Sequence, residues 1–154
     1  MADKIGLTIS VNGIQQSLNA MASRAGLAQG WLNRVAYPMI IEAQRMRWAS
    51  EGSSEGESWA PLNESYALRK LKKYESYPGG GRKMLIATGH LVDSVTGDKR
   101  EDHYKLVEGN RLEVGTLVDY AKYVDEKRNF TILGQATIDL LSEKLGAYIS
   151  QGDQ

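Results

Sequence analysis

His90, Asp93 and Ser94 fall within five positions of one another, and a second histidine, His103, follows. These are the residue types of nucleophilic catalysis: a hydroxyl activated by an imidazole that a carboxylate orients. Near neighbours in sequence rarely give that geometry, and the chain has no nucleophile-elbow motif around a serine. Glu51, Glu55 and Glu57 are the carboxylates that could be paired for glycoside cleavage. In the Gly/Ser stretch EGSSEGES they read instead as solvated. No H-E-x-x-H or comparable spacing offers three or four metal ligands. Gly79-Gly80-Gly81-Arg82-Lys83 lacks the length and the hydroxyl of a phosphate-binding loop. With no cysteine in the chain, disulfides, thiol catalysis and cysteine metal sites are excluded. We expect no enzymatic activity and no cofactor.

A second chemistry is electrostatic. Arg69, Lys70, Lys72 and Lys73 lie close together, and Arg82 and Lys83 follow a glycine run. This 69–83 segment is either a DNA-facing or acidic-partner patch, or a solvated helix face beside a mobile loop. The whole chain gives no bias, because 19 basic residues balance 19 acidic ones. A hydrophobic fraction of 42% in 154 residues supports one modest core, and a single domain over 1–154 is the expectation. No apolar run is long enough to span a bilayer, and the N-terminus lacks the pattern of a secretory signal. Assembly in a cytoplasm and no membrane partner follow as expectations.

The elements that would position these residues can be read from periodicity. Ile5, Leu7, Ile9 and Val11 alternate with small or polar residues, which predicts a strand ending at the Asn12-Gly13 turn. Ile14, Leu18, Met21, Ala25, Ala28, Leu32, Val35 and Met39 then step by four and three. This predicts a helix running to about residue 50, roughly 50 Å long. Gly26 and Gly30 weaken it, and Pro38 should bend or split it near Tyr37. Its stripe serves either the core or a neighbouring subunit.

The 51–58 stretch is a polar loop expected to be mobile, as is 76–83. Trp59 and Leu62 bracket Pro61, and Trp59 reads as an anchor for the loop or as an interface contact. Asn63 caps a helix with Tyr66, Leu68 and Leu71 inside it. Thr88 is the expected cap of a short helix from Leu91. Tyr104 to Val107 and Leu112 to Leu117 read as two strands joined at Glu108-Gly109-Asn110-Arg111. A short helix follows from Val118, with Tyr120, Tyr123 and Lys127 on one side. The last helix spans 132–149, with Ile138, Leu141, Leu145 and Ile149 on one face.

Three segments together resemble the virion morphogenesis proteins of tailed phages, the small neck and tail-completion family. Trp59-Ala60-Pro61-Leu62 is similar to that family's W-x-P-L segment after a Gly/Ser-rich loop. Met84 through Val95, with Thr88-Gly89-His90-Leu91 and Ser94-Val95, resembles its L-x-x-T-G-x-L-x-x-S-[IV] run. Val114-Gly115-Thr116 with Tyr120-Ala121-Lys122-Tyr123-Val124 resembles its V-G-T-x-x-x-Y-A segment. The segments stand in the family's order over roughly half the chain; 125–130 (DEKRNF) departs from the glycine ending common there.

The resemblance implies an α+β subunit, a small and mostly antiparallel sheet packed against a long N-terminal helix and a C-terminal helix. It implies a homo-oligomeric ring, a hexamer or dodecamer, at the neck or tail top of a virion. The partners would be other phage connector and tail proteins, with genomic DNA passing through the lumen. Trp59, Leu62, Tyr120, Tyr123 and Phe130 are then the candidate subunit or partner contacts. Arg69, Lys70, Lys72, Lys73, Arg82 and Lys83 are the candidate DNA-facing residues. The alternative is a small nucleic-acid-binding module using the basic 69–83 segment.

Overall fold

The computed structural model describes residues 5–10, 27–77, 81–97 and 101–151. The Asn12-Gly13 turn and the 14–26 part of the expected long helix lie outside them, as do 78–80 and 98–100. The fold is α+β. Strands β1 (Ile5–Ser10), β2 (His103–Glu108) and β3 (Arg111–Thr116) form an antiparallel sheet in the order β1-β3-β2. The hairpin is as expected: Glu108 pairs with Arg111, leaving a two-residue loop, and Gly109 has φ +56°. A positive φ at the first loop position is what a tight hairpin demands, and glycine meets it without steric cost. On β3, Leu112, Val114 and Thr116 alternate onto the buried face.

Helix α1 runs in three stretches: Leu27–Trp31, a π-turn Leu32–Ala36, and Tyr37–Ala49. Pro38 has no N–H to give the preceding turn, and the π-turn sits immediately before it. The Tyr37 N–H reaches back five residues to Leu32 O. The helix therefore continues through Pro38 with a local overlong turn.

That turn corrects the predicted stripe. A π-turn takes one more residue than an α-turn, so the buried face moves one position along. Ala36 and Ile40 are in the core where Val35 and Met39 were expected, and Met46 is 55% exposed while Arg47 and Trp48 are buried. Trp31, Leu32, Ala36, Ile40, Ile41 and Ala43 pack with Leu112 and Val114 of β3 and with Leu133, Leu141 and Leu145.

Helix α2 spans Glu64–Tyr74. The Asn63 side chain accepts from the Ser65 N–H at 3.0 Å, the cap that the sequence predicts. Glu64 in the first turn and Lys72 and Lys73 in the last suit the helix dipole. Helix α3 spans His90–Thr96, and its cap is not Thr88: Gly89 precedes it with φ +80° and no side chain caps it. Helix α4 spans Ala121–Arg128, starting three residues after Val118, because the Thr116 hydroxyl first accepts the Val118 N–H. Helix α5 spans Gln135–Gln151. Leu141 and Leu145 of its predicted face are buried, but Ile138 is exposed.

A second core cluster contains Trp48, Trp59, Ile86, Leu91, Val95, Val118, Ala121 and Phe130. Trp48 meets Trp59 edge-on at 5.3 Å between ring centroids and Phe130 at 5.5 Å. The 51–58 stretch, expected to lack order of its own, is tied down around this cluster. It carries a 3-10 turn, Ser53–Glu55, and the Trp59 N–H donates to Glu51 O at 2.8 Å.

Candidate functional site

The Ser94–His90–Asp93 arrangement does not form. Ser94 is buried, and its hydroxyl donates to Leu91 O at 2.8 Å. Its one hydrogen being engaged, it accepts from the Thr116 hydroxyl at 2.7 Å, which in turn accepts from the Val118 N–H at 3.1 Å. The chain of hydroxyls is satisfied from end to end and joins α3 to the end of β3. His90 instead contacts Asp102 through Nε2, and Asp93 accepts from the Tyr77 hydroxyl at 3.3 Å. His103 gives its Nδ1 hydrogen to Ser94 O at 2.6 Å, which leaves Nε2 to accept from the Tyr37 hydroxyl at 2.9 Å. Among the described residues no group of three or more histidines and carboxylates is placed to hold a metal ion, and no helix is long and apolar enough to cross a membrane.

Two of the loop carboxylates, read as solvated, hold the fold together. Glu55 accepts from the Gly134 N–H at 2.6 Å and from the Thr137 hydroxyl at 2.7 Å. It thus answers donors at the start of α5, where the helix dipole favours an anion. Glu51 accepts from the Met84 N–H at 2.6 Å. Arg47 is a buried cation beside them that no sequence motif singles out. Its guanidinium donates to Asn129 O at 2.8 Å and Gly52 O at 3.4 Å and lies over the Trp59 ring. Burial lowers its pKa, against the opposing pull of Glu55 and Asp125.

The interface candidates divide. Phe130 is wholly buried, and Trp59 is a core residue that shows only an edge to the recess beyond Arg128. Leu62, Tyr120 and Tyr123 converge on one groove of about 520 Å³ between α2, the 85–91 turn and α4. The Tyr120, Tyr123, Lys127 stripe predicted on α4 forms one wall, and Tyr66, Lys70 and Tyr74 of α2 form the other. A second recess of about 750 Å³ lies beyond it, and Lys127 and Arg128 border both.

The basic candidates divide as well. Arg69, Lys72, Lys73 and Arg82 are exposed. Lys70 is only 4% exposed, and its ammonium donates to Lys83 O. Lys83 donates in turn to Ala49 O. Neither ammonium is part of a continuous DNA-facing surface, which corrects the reading of 69–83 as one patch. The cause is register: Lys70 shares the side of α2 that carries Tyr66 and Tyr74 and meets the 83–85 turn, while Arg69, Lys72 and Lys73 stand in solvent around it.

Burial holds the Lys70 pKa below the usual lysine value of 10.5, with Glu51 opposing and the Arg128 charge adding to the shift. The unfolded chain then binds more protons than the folded one in the window below 10.5. Stability must rise with pH through that window. Burial lowers the Lys105 pKa in the same direction, so urea denaturation across this range should show a rise in the wild type and a smaller one in Lys70→Met.

Comparison with protein-family models, with curated proteins and with solved structures finds no match to this chain.

Proposed function

We propose that this chain is a structural subunit of a tailed-phage neck, a tail-completion or head-tail connector protein that acts by assembly and not by catalysis. The observation that carries the reading is the convergence of the three family-like segments. Trp59, the Ile86–Val95 run and Val118–Ala121 all supply side chains to one cluster. Segments far apart in sequence that resemble one family in the same order also pack together, which supports reading the likeness as that of a shared scaffold. The α+β fold agrees with the subunit that the resemblance implies. Exposed apolar side chains at Met46, Ile138 and Leu140 also suit a subunit with surfaces left to cover.

The test is particle mass by light scattering across concentration, with negative-stain imaging, followed by quantification of the protein in purified virions. A discrete mass with a central hole, or a fixed copy number per virion, is the expected result. A monomer at every concentration that is also missing from virions would end the reading.

A further inference from the structure

The groove between α2 and α4 is chemically one-sided. Among the described residues its lining includes the cations Lys70, Lys127 and Arg128 and no carboxylate. Three of its tyrosines remain open to water: Tyr66 is 47% exposed, Tyr120 48% and Tyr123 63%. The Lys127 ammonium lies 4.8 Å from the Tyr123 ring centroid, so a cation sits beside an aromatic face. Arg128 reaches Ala60 O at a long 3.4 Å, and its buried Nε has no hydrogen-bond partner. The imidazole at the groove's edge is already matched by Asp102.

The centres of protein–protein interfaces are depleted in lysine, which argues against an ordinary apolar protein contact here. A duplex hides its base faces and would meet the cations alone. A strand with unstacked bases meets both features at once, because a positive groove with open aromatic rings is the general platform for single strands. The volume has room for an unstacked base and its phosphate.

We propose that this groove is a binding site for single-stranded nucleic acid, with bases stacking on Tyr123, Tyr120 and Tyr66 and phosphates met by Lys127 and Arg128. Tyr120 and Tyr123, expected at a subunit contact, are thereby reassigned. The site is also distinct from the exposed basic residues of α2: Arg69, Lys72 and Lys73 do not line it.

The experiment is fluorescence anisotropy with the full-length protein and fluorescein-labelled oligothymidylate and oligouridylate, at low and moderate salt. A duplex of the same length and labelled polyglutamate serve as the other arms. The single strands should bind more tightly than the duplex, with affinity falling as salt rises. Tyr123→Ala should weaken binding by about tenfold, while Tyr123→Phe, which keeps the ring, should retain it. Lys127→Glu should reduce the salt slope by about one. Tyr123 is exposed, so an unchanged melting curve will show that these variants fold. Three outcomes would each overturn the proposal: no binding of either oligonucleotide at low salt, equal binding of duplex and single strand with indifference to Tyr123→Ala, or capture of polyglutamate in preference to both. The last would assign the groove to an acidic protein segment. None of these outcomes bears on particle mass or virion copy number, so the neck assignment stands or falls separately.

Discussion

Replacing Trp59 by alanine should cost about 3–5 kcal/mol, a large part of the roughly 5–15 kcal/mol that holds a domain folded. The residue is 5% exposed and packs edge-on against Trp48. Its ring also lies under the Arg47 guanidinium, which bonds Asn129 O and Gly52 O. Removing the indole therefore empties core volume and leaves that cation without its platform. The indole N–H is buried with no partner, so it contributes no hydrogen bond to lose. Trp59→Phe should for that reason retain most of the stability that Trp59→Ala forfeits. Urea denaturation of the three proteins checks both statements. Equal losses in the two variants would show that the hydrogen-bonding end of the ring matters and that packing does not dominate.

The second large effect is expected at Gly89. Its φ of +80° lies in the region where a side chain costs about 1–2 kcal/mol. A β-carbon there would stand 1.9 Å from Cζ of Tyr77 and 2.0 Å from its hydroxyl oxygen. The Tyr77 ring would have to leave, taking with it the bond to Asp93. Overpacking of this kind costs about 1–3 kcal/mol more. Gly89→Ala should thus lose about 2–5 kcal/mol by thermal or urea unfolding. Combining it with Tyr77→Ala removes the collision and leaves the backbone cost. The double variant should therefore lose less than the sum of the singles, a coupling that a double-mutant cycle measures. Strict additivity would mean that the ring moves aside freely.

What the sequence made legible was local. The hairpin was readable because Gly109 and its neighbours determine a two-residue turn without outside help. Asn63 was readable as a cap because its acceptor serves an N–H two residues away. Trp59 reads in sequence as either a loop anchor or an interface contact, and only its burial against Trp48 decides for the anchor. The site was less legible, because its parts meet through long separations. Glu55 and Thr137 are 82 positions apart, and nothing near either one signals the contact. His90 finds Asp102 and not Asp93, a choice made by the path of the intervening chain. The inward turn of Lys70 was hidden by its basic neighbours: a run of like charges looks uniform in sequence, yet a helix sends its members in different directions. On α4 the signal was present, since Tyr120, Tyr123 and Lys127 mark one face. Only the second wall, supplied by α2, turns that face into a groove.

The overlong turn before Pro38 acts as a phase shift. Upstream of it, α1 presents Trp31 to the sheet-side core; downstream, the same rod first adds Ile40, Ile41 and Ala43 to that core and then delivers Trp48 to the other cluster. Each residue of an α-helix advances the azimuth by about 100°. A gain or loss of one residue near Leu32–Ala36 would thus change the helix's length only slightly, yet it would rotate everything beyond. A gain would carry Trp48 out to the bearing of Ala49 and bring Met46 in to that of Arg47; a loss would carry Arg47 out to the bearing of Met46 and bring Ala49 in to that of Trp48. In this part of the chain, an alignment gap between related sequences is an angle. Two chains that differ by one residue here can share the same fold only if one of them has dropped the π-turn.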